Sequence, residues 1–296
     1  MNTQEITIPV PWGHISAKTW GNTMATRVLC VHGKQDNCGT FDRLIPLLPP
    51  GFYFVCIDLP GHGKSSHYAP GFRITLETFT IAIKHVIDFL KWKKFKCIGH
   101  SLGGMICSLF AAIYPEYLEH LVMIDSAGPA IVHPDETVIY LRKLCDDLLT
   151  IEKKMSNQSP PSYTYEQALN LILTKRPSKL TQKSAEILIK RSLQMNADKK
   201  YSFSTDQRMK VYNDLILSPM QQLIFVQNIK CPLLYIWVTD NPEQKTSRVK
   251  LVRKMYKSIS NAQVVKINGN HDVHLNHPDR IANLIEAFLT AENSKL

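Results

Sequence analysis

The residues best suited to chemistry in this 296-residue chain are Gly99-His100-Ser101-Leu102-Gly103, a G-x-S-x-G run. A short apolar strand, Phe95 to Ile98, precedes it, and a helical run from Met105 to Ile113, stopped by Tyr114-Pro115, follows. In that setting the serine occupies a tight strand-to-helix turn with strained backbone angles. The positions two before and two after it must then be nearly free of side chain. Its hydroxyl projects above the sheet at a helix N-terminus, where the dipole favours negative charge. The chemistry this suits is nucleophilic attack.

A serine hydroxyl needs a base to lose its proton at neutral pH, and histidine is best suited. His271 lies in Asn268-Gly269-Asn270-His271, on a glycine-flexed loop after the last strand, and is the expected base. His274 is the alternative, and His277, directly before Pro278, reads as a cap for the closing helix. The chain order Ser…Asp/Glu…His puts the orienting acid between Ser101 and His271. Asp240, after the strand Leu233 to Val238, is expected to fill that role, with Asp125, one strand earlier, as the main alternative and Glu243 third. Two preset N–H groups must face the developing oxyanion. Leu102 supplies one and Lys34, after His32-Gly33, the other.

Two further patterns lead elsewhere. His271, His274 and His277 form H-x-x-H-x-x-H, a spacing that suggests a metal. The run stands before a proline, with no cysteine or carboxylate set elsewhere, so neither metal nor cofactor is expected. Gly61-His62-Gly63-Lys64-Ser65 resembles the end of a phosphate loop, but that motif needs glycine where Asp58 stands. It reads as a tight turn beside the site.

The elements that would position these residues alternate. Glu5 to Val10 and His14 to Trp20 read as an antiparallel hairpin around Pro11-Trp12-Gly13. Buried strands follow at Arg27 to Val31 and Tyr53 to Ile57, with a short helix near Phe41 to Leu48 between them. Ile74 to Trp92 has helical periodicity, and Leu121 to Ile124 is a strand ending in Asp125. From about Pro129 to Asn228 no strand is evident; helices are expected at Thr137 to Lys153, Tyr165 to Thr174, Thr181 to Gln194 and Pro219 to Val226. The alternation then resumes with Leu233 to Val238, a helix from Ser247 to Ile259, Gln263 to Ile267 and a closing helix from Pro278 to Leu289. This is an α/β chain with a mainly parallel sheet covered on both faces. Residues 1–128 and 229–296 form its core, split by a helical cap at 129–228. Ligands of such sheets bind beyond the C-terminal strand ends, where His32, Asp58, Ser101 and Asp125 all fall.

Composition sets outer limits. Apolar residues make up 44% and charged residues 20%, ordinary for a sizeable core. The net charge of +10 reads as a lysine-rich solvated surface, or as attraction to acidic partners such as anionic substrates or membrane surfaces. No run of basic and aromatic residues resembles a nucleic-acid module, and no apolar run reaches membrane-spanning length. Seven cysteines without a C-x-x-C pair argue against a disulfide framework and fit a reducing compartment. The chain ends Ser294-Lys295-Leu296, the pattern of a peroxisomal address read by an import receptor. A peroxisomal, otherwise cytoplasmic, location is expected from it.

His32-Gly33, Asp58-Leu59-Pro60-Gly61-His62-Gly63-Lys64-Ser65, the Ser101 turn and Gly269-Asn270-His271 together resemble the α/β-hydrolase superfamily. Val10 to Lys18 and Phe41 to Pro49 are similar to the serine hydrolase-like proteins, the group that includes the insect kraken protein. The resemblance implies an eight-stranded, mainly parallel α/β-hydrolase sheet with an inserted helical cap. It also implies esterase-like activity but no particular substrate; cleavage of a small or lipid-like carboxylic ester or thioester through an acyl-enzyme on Ser101, with no cofactor, is expected from the residues themselves. Lys34 stands where many relatives carry an apolar or aromatic residue. Val238-Thr239-Asp240-Asn241 lacks the usual G-x-x-D turn. That irregular turn motivates an alternative, a non-catalytic small-molecule binder on the same fold.

Overall fold

The computed structural model describes residues 1–129, 131–157, 159–211 and 215–291; Ser294-Lys295-Leu296 lies outside the described residues. Strands β1 (Thr3–Val10) and β2 (Gly13–Trp20) form the expected antiparallel hairpin, in register from Thr3–Trp20 to Val10–Gly13. Next come β3 (Thr26–Val31), β4 (Phe52–Ile57), α1 (Leu76–Leu90), β5 (Phe95–His100), α2 (Leu102–Ile113) and β6 (Leu118–Ile124). After β6 come α3 (Thr137–Asn157), α4 (Tyr165–Lys175), α5 (Gln182–Ser192) and a small hairpin of β7 (Leu193–Met195) and β8 (Tyr201–Phe203). Then follow α6 (Pro219–Asn228), β9 (Leu233–Val238), α7 (Ser247–Lys257), β10 (Ala262–Ile267), α8 (Val273–Asn276) and α9 (Asp279–Thr290).

Eight strands make one sheet in the order β1-β2-β4-β3-β5-β6-β9-β10. The β1–β2 and β2–β4 pairings are antiparallel, and the rest are parallel. Strands at its centre are buried on both faces, and their alternation shows why a continuous apolar run is needed there. Leu29, Val31, Val55 and Ile57 point to the face covered by Phe79 and Ile83 of α1, Ile106 and Phe110 of α2, and Tyr256 of α7. Val28, Cys30, Phe54 and Cys56 point to the other face, covered by Phe41, Leu44, and Ile281 and Ile285 of α9. Each such side chain, fully buried, contributes about 1.5–3 kcal/mol. The start of α1 is fixed by a capping box between Thr75 and Thr78. All seven cysteines are free thiols, and all but Cys145 are buried, as small core hydrophobes should be.

Two expectations need correction. The helix expected at Phe41 to Leu48 is two 3-10 turns, Cys38–Phe41 and Ile45–Leu47; Pro46 supplies no N–H with which to continue a helix. The segment expected to be strandless contains the β7–β8 hairpin, which begins where α5 ends at Ser192. Within residues 129–228, the final helix α6 packs on α2 and α7 and puts Val226 into the main core.

The segment between β6 and α6 has its own small core, Ala168, Ile172, Leu180, Leu188 and Ile189, closed by Leu275 of α8. A buried ion pair also ties it down. Arg191 of α5 donates to Asp58 Oδ2 from Nε at 3.1 Å and from a terminal nitrogen at 2.7 Å. Asp58 also accepts from the backbone N–H groups of Cys38 and Lys64, at 2.8 and 2.9 Å. Burial pushes the Asp58 pKa up, but Arg191 and these donors leave it below the usual 3.8. The Gly61 to Ser65 turn therefore wraps a carboxylate: a Cβ on Gly63 would stand 2.3 Å from the Asp58 carboxyl carbon.

Candidate active site

Ser101 sits between β5 and α2 with φ 52° and ψ −118°, a conformation side-chain-bearing residues rarely adopt. Its N–H donates to Ile124 O at 3.0 Å and its carbonyl accepts from Met105 N at 3.1 Å, so strand and helix hold both ends of the strained residue. The neighbouring glycines are a packing necessity. A Cβ on Gly99 would lie 2.5 Å from Gly103 O, and one on Gly103 would lie 2.0 Å from Val31 O. A Cβ on Gly33 would stand 3.1 Å from Ser101 Cβ, so the loop after β3, with Lys34, runs directly beside the serine.

His271 approaches from the loop after β10. Its backbone carbonyl accepts from His100 Nε2 at 2.9 Å, and the two rings lie 4.6 Å apart. The residue preceding the serine thus holds the backbone of the histidine. His271 Nδ1 donates to Asp125 Oδ2 at 2.6 Å, which leaves Nε2 as the basic nitrogen. Burial works to lower the His271 pKa, but the Asp125 carboxylate outweighs it and raises the pKa above 6.5.

Asp125 is 3% exposed and has φ 46°, a second strained residue at a strand end. Its backbone N–H donates to Ile236 O at 2.7 Å, and Val238 N–H donates to Oδ1 at 3.1 Å. Asn241 Nδ2 donates to Oδ2 at 2.6 Å. With His271 Nδ1, three donors therefore fix the carboxylate in place.

The structure brings Asp125, and not Asp240, to His271. Asp240 is exposed, its carboxylate accepts from Thr239 Oγ1 at 2.8 Å, and its N–H is bound to Gly269 O. The β9 turn sends Asn241 inward instead, onto Asp125. Because β6 lies between β5 and β9, the residue ending β6 is the one that faces the serine turn. Glu243 instead sits in the 3-10 turn Pro242–Lys245. Of the other histidines, His274 is fully buried behind the pair, and His277 is exposed.

A family model described as alpha/beta hydrolase fold matches residues 26–151. The serine hydrolase-like protein 2 of Homo sapiens is 34% identical over 96% of this chain and 93% of its own length. The serine hydrolase-like protein of Danio rerio is 32% identical over 98% and 89%. The chain belongs to the serine hydrolase-like family of α/β hydrolases. Its fold matches that of a solved hypothetical protein from Pseudomonas aeruginosa PAO1 with a TM-score of 0.84, at 26% identity, over 97% of this chain and 99% of the other.

Asn241 is the site residue that sequence reasoning missed in this member of the family. Its only signal was its place directly after Asp240, at the end of a strand expected to carry the acid.

Proposed function

We propose that this protein is a serine hydrolase that cleaves a carboxylic ester or thioester through an acyl-enzyme on Ser101. The observation that carries the proposal is the Asp125–His271 pair, closed at 2.6 Å and anchored through His100 to the strained serine turn. Ser101 Oγ attacks the carbonyl carbon while His271 Nε2 takes its proton. Asp125 fixes the imidazole tautomer and stabilises the imidazolium that forms. The N–H groups of Leu102 and Lys34 receive the oxyanion, a donor pair of which each member is worth about 10²–10³ in rate. Leu102 opens α2, whose first N–H groups have no intrahelical partner, and Lys34 lies in the loop beside the serine. The protonated His271 then gives its proton to the leaving group, and water cleaves the acyl-enzyme by the same steps in reverse roles.

The motive for a non-catalytic binder was the irregular turn at Asp240. The Asp125–His271 contact supports the catalytic reading over the binder. The net charge of +10 favours acidic substrates, and a CoA thioester is one such class. The test is turnover of short-chain aryl esters and of acyl-matched CoA thioesters by wild type and Ser101→Ala. Turnover lost in the variant supports the proposal. Unchanged turnover in Ser101→Ala, or ligand binding with no turnover by wild type, overturns it.

A further inference from the structure

Behind the Asp125–His271 pair lies a second, enclosed cluster. Asp36 on the loop after β3, His100 at the end of β5 and His274 on α8 are 3%, 1% and 0% exposed. One ring nitrogen of each histidine and one carboxylate oxygen of Asp36 lie within 4.8 Å of one another. The two rings are 3.9 Å apart, inclined by 36°.

The outward nitrogens are occupied. His100 Nε2 faces the His271 carbonyl at 2.9 Å; a carbonyl only accepts, so Nε2 carries the proton and Nδ1 keeps its lone pair. His274 Nε2 meets Thr40 Oγ1 at 2.7 Å. Nδ1 of both rings has no hydrogen-bond partner, and the Asp36 oxygens have none in good geometry, only the looser approach of the Thr40 hydroxyl and the Asn37 N–H. Leaving so many buried polar atoms unpaired is costly, and native proteins seldom tolerate it. The charges do not balance either. Asp36 and Asp272 share one guanidinium, that of Arg176, at 3.8 and 3.0 Å, which leaves one carboxylate charge in excess.

We propose that Asp36, His100 and His274 form a binding site for a divalent transition metal, with zinc as the ion best suited to it. Two imidazoles and a carboxylate are a usual zinc donor set, and water or the second Asp36 oxygen completes four-coordination. Thr40 and the His271 carbonyl orient the outer nitrogens, as the second partners of metal-bound histidines commonly do. Arg176 opposes a further cation, but its nearer partner is Asp272. This is not the site that H-x-x-H-x-x-H suggested. His271 is engaged by Asp125 and His277 is exposed, while Asp36, distant in sequence, supplies the missing carboxylate. The ligands come from the loop that holds Lys34, the strand that leads to Ser101 and the helix after His271. A bound ion would cross-link the three segments that carry the site, independently of which substrate the enzyme takes.

The test uses the full chain expressed in zinc-supplemented medium, with metal per chain measured by mass spectrometry. X-ray absorption reads the ligand sphere, and uptake of cobalt(II) is followed by its visible spectrum. About one zinc per chain, bound by two imidazoles and oxygen without sulfur, is expected for wild type. Ser101→Ala and His133→Gln, which removes an exposed histidine beside Asp135, should bind equally. Asp36→Asn and His274→Gln should bind at least ~10-fold more weakly. A folded wild type that takes up neither ion overturns the proposal. So does sulfur or a single imidazole in the ligand sphere, or undiminished binding in Asp36→Asn and His274→Gln. The wild-type ligand sphere decides the matter even if a variant fails to fold.

Discussion

Asp125 and His271, 146 positions apart in sequence, meet at 2.6 Å, and the residue next to the serine holds the histidine's own carbonyl. The pair is braced from both sides: Asn241 and Val238 donate to the carboxylate, and His100 donates to the backbone of His271. The two aspartates that the sequence left in competition are therefore placed differently, Asp125 against His271 and Asp240 at the surface beside Thr239.

Asp125→Asn should lower kcat/KM for ester hydrolysis by about 10²–10⁴, since an amide does not hold the imidazole tautomer or balance the imidazolium charge. Asp240→Asn should stay within about twofold of wild type, because exposed side-chain changes away from the site are usually small. Steady-state kinetics on one aryl ester compares them. A large loss in Asp240→Asn with little in Asp125→Asn would reverse the assignment.

The pH profile follows from the same pair. The base must be neutral, and Asp125 holds the His271 pKa above 6.5, so activity should be lost as pH falls through a midpoint above that value. Removing the Asp125 charge should move the midpoint to lower pH, because burial then acts unopposed. A midpoint unchanged in Asp125→Asn would contradict the coupling.

Much of this arrangement was legible in the sequence, for reasons that can be named. The Ser101 turn is specified locally, because Gly99 and Gly103 answer contacts that any Cβ would break. The sheet was legible because β3, β4, β6 and β9 carry continuous apolar runs, the mark of strands covered on both faces. Choosing between Asp125 and Asp240 required the strand order, in which β6 lies between β5 and β9, and no local pattern encodes that order. The β7–β8 hairpin, three residues per strand, is too short to show a period. The cluster of Asp36, His100 and His274 is assembled wholly by tertiary structure.

Stability should fall in mild acid. His32 and His62 are fully buried and neutral: in each, Nδ1 donates to a carbonyl and Nε2 accepts a backbone N–H. Burial lowers their pKa values to about 4 and about 3. Below about pH 6.5 the unfolded chain takes up protons that the folded chain refuses. Stability from these two is thus fully present above that pH and is lost as pH falls towards 4, by up to about 1.4 kcal/mol per unit for each. His271, with its raised pKa, acts in the opposite direction and offsets part of the loss. Urea midpoints at pH 7.5 and pH 5 test this, and equal midpoints would contradict it.

Arg191→Met should destabilise the fold by about 3–5 kcal/mol, because it strands the Asp58 carboxylate in the core. Adding Asp58→Asn should recover part of that loss by removing the stranded charge. Denaturant unfolding of the two variants measures both effects. A double variant less stable than Arg191→Met would show that the charge is not what makes the single change costly.

The most direct test of the central claim is labelling of the purified protein with a small fluorophosphonate, with the adduct located by mass spectrometry. An adduct on Ser101 is expected, absent in Ser101→Ala, formed far more slowly in Asp125→Asn and at near wild-type rate in Asp240→Asn. An adduct on another residue, or equal labelling of wild type and Ser101→Ala, would contradict the assignment of Ser101 as the nucleophile.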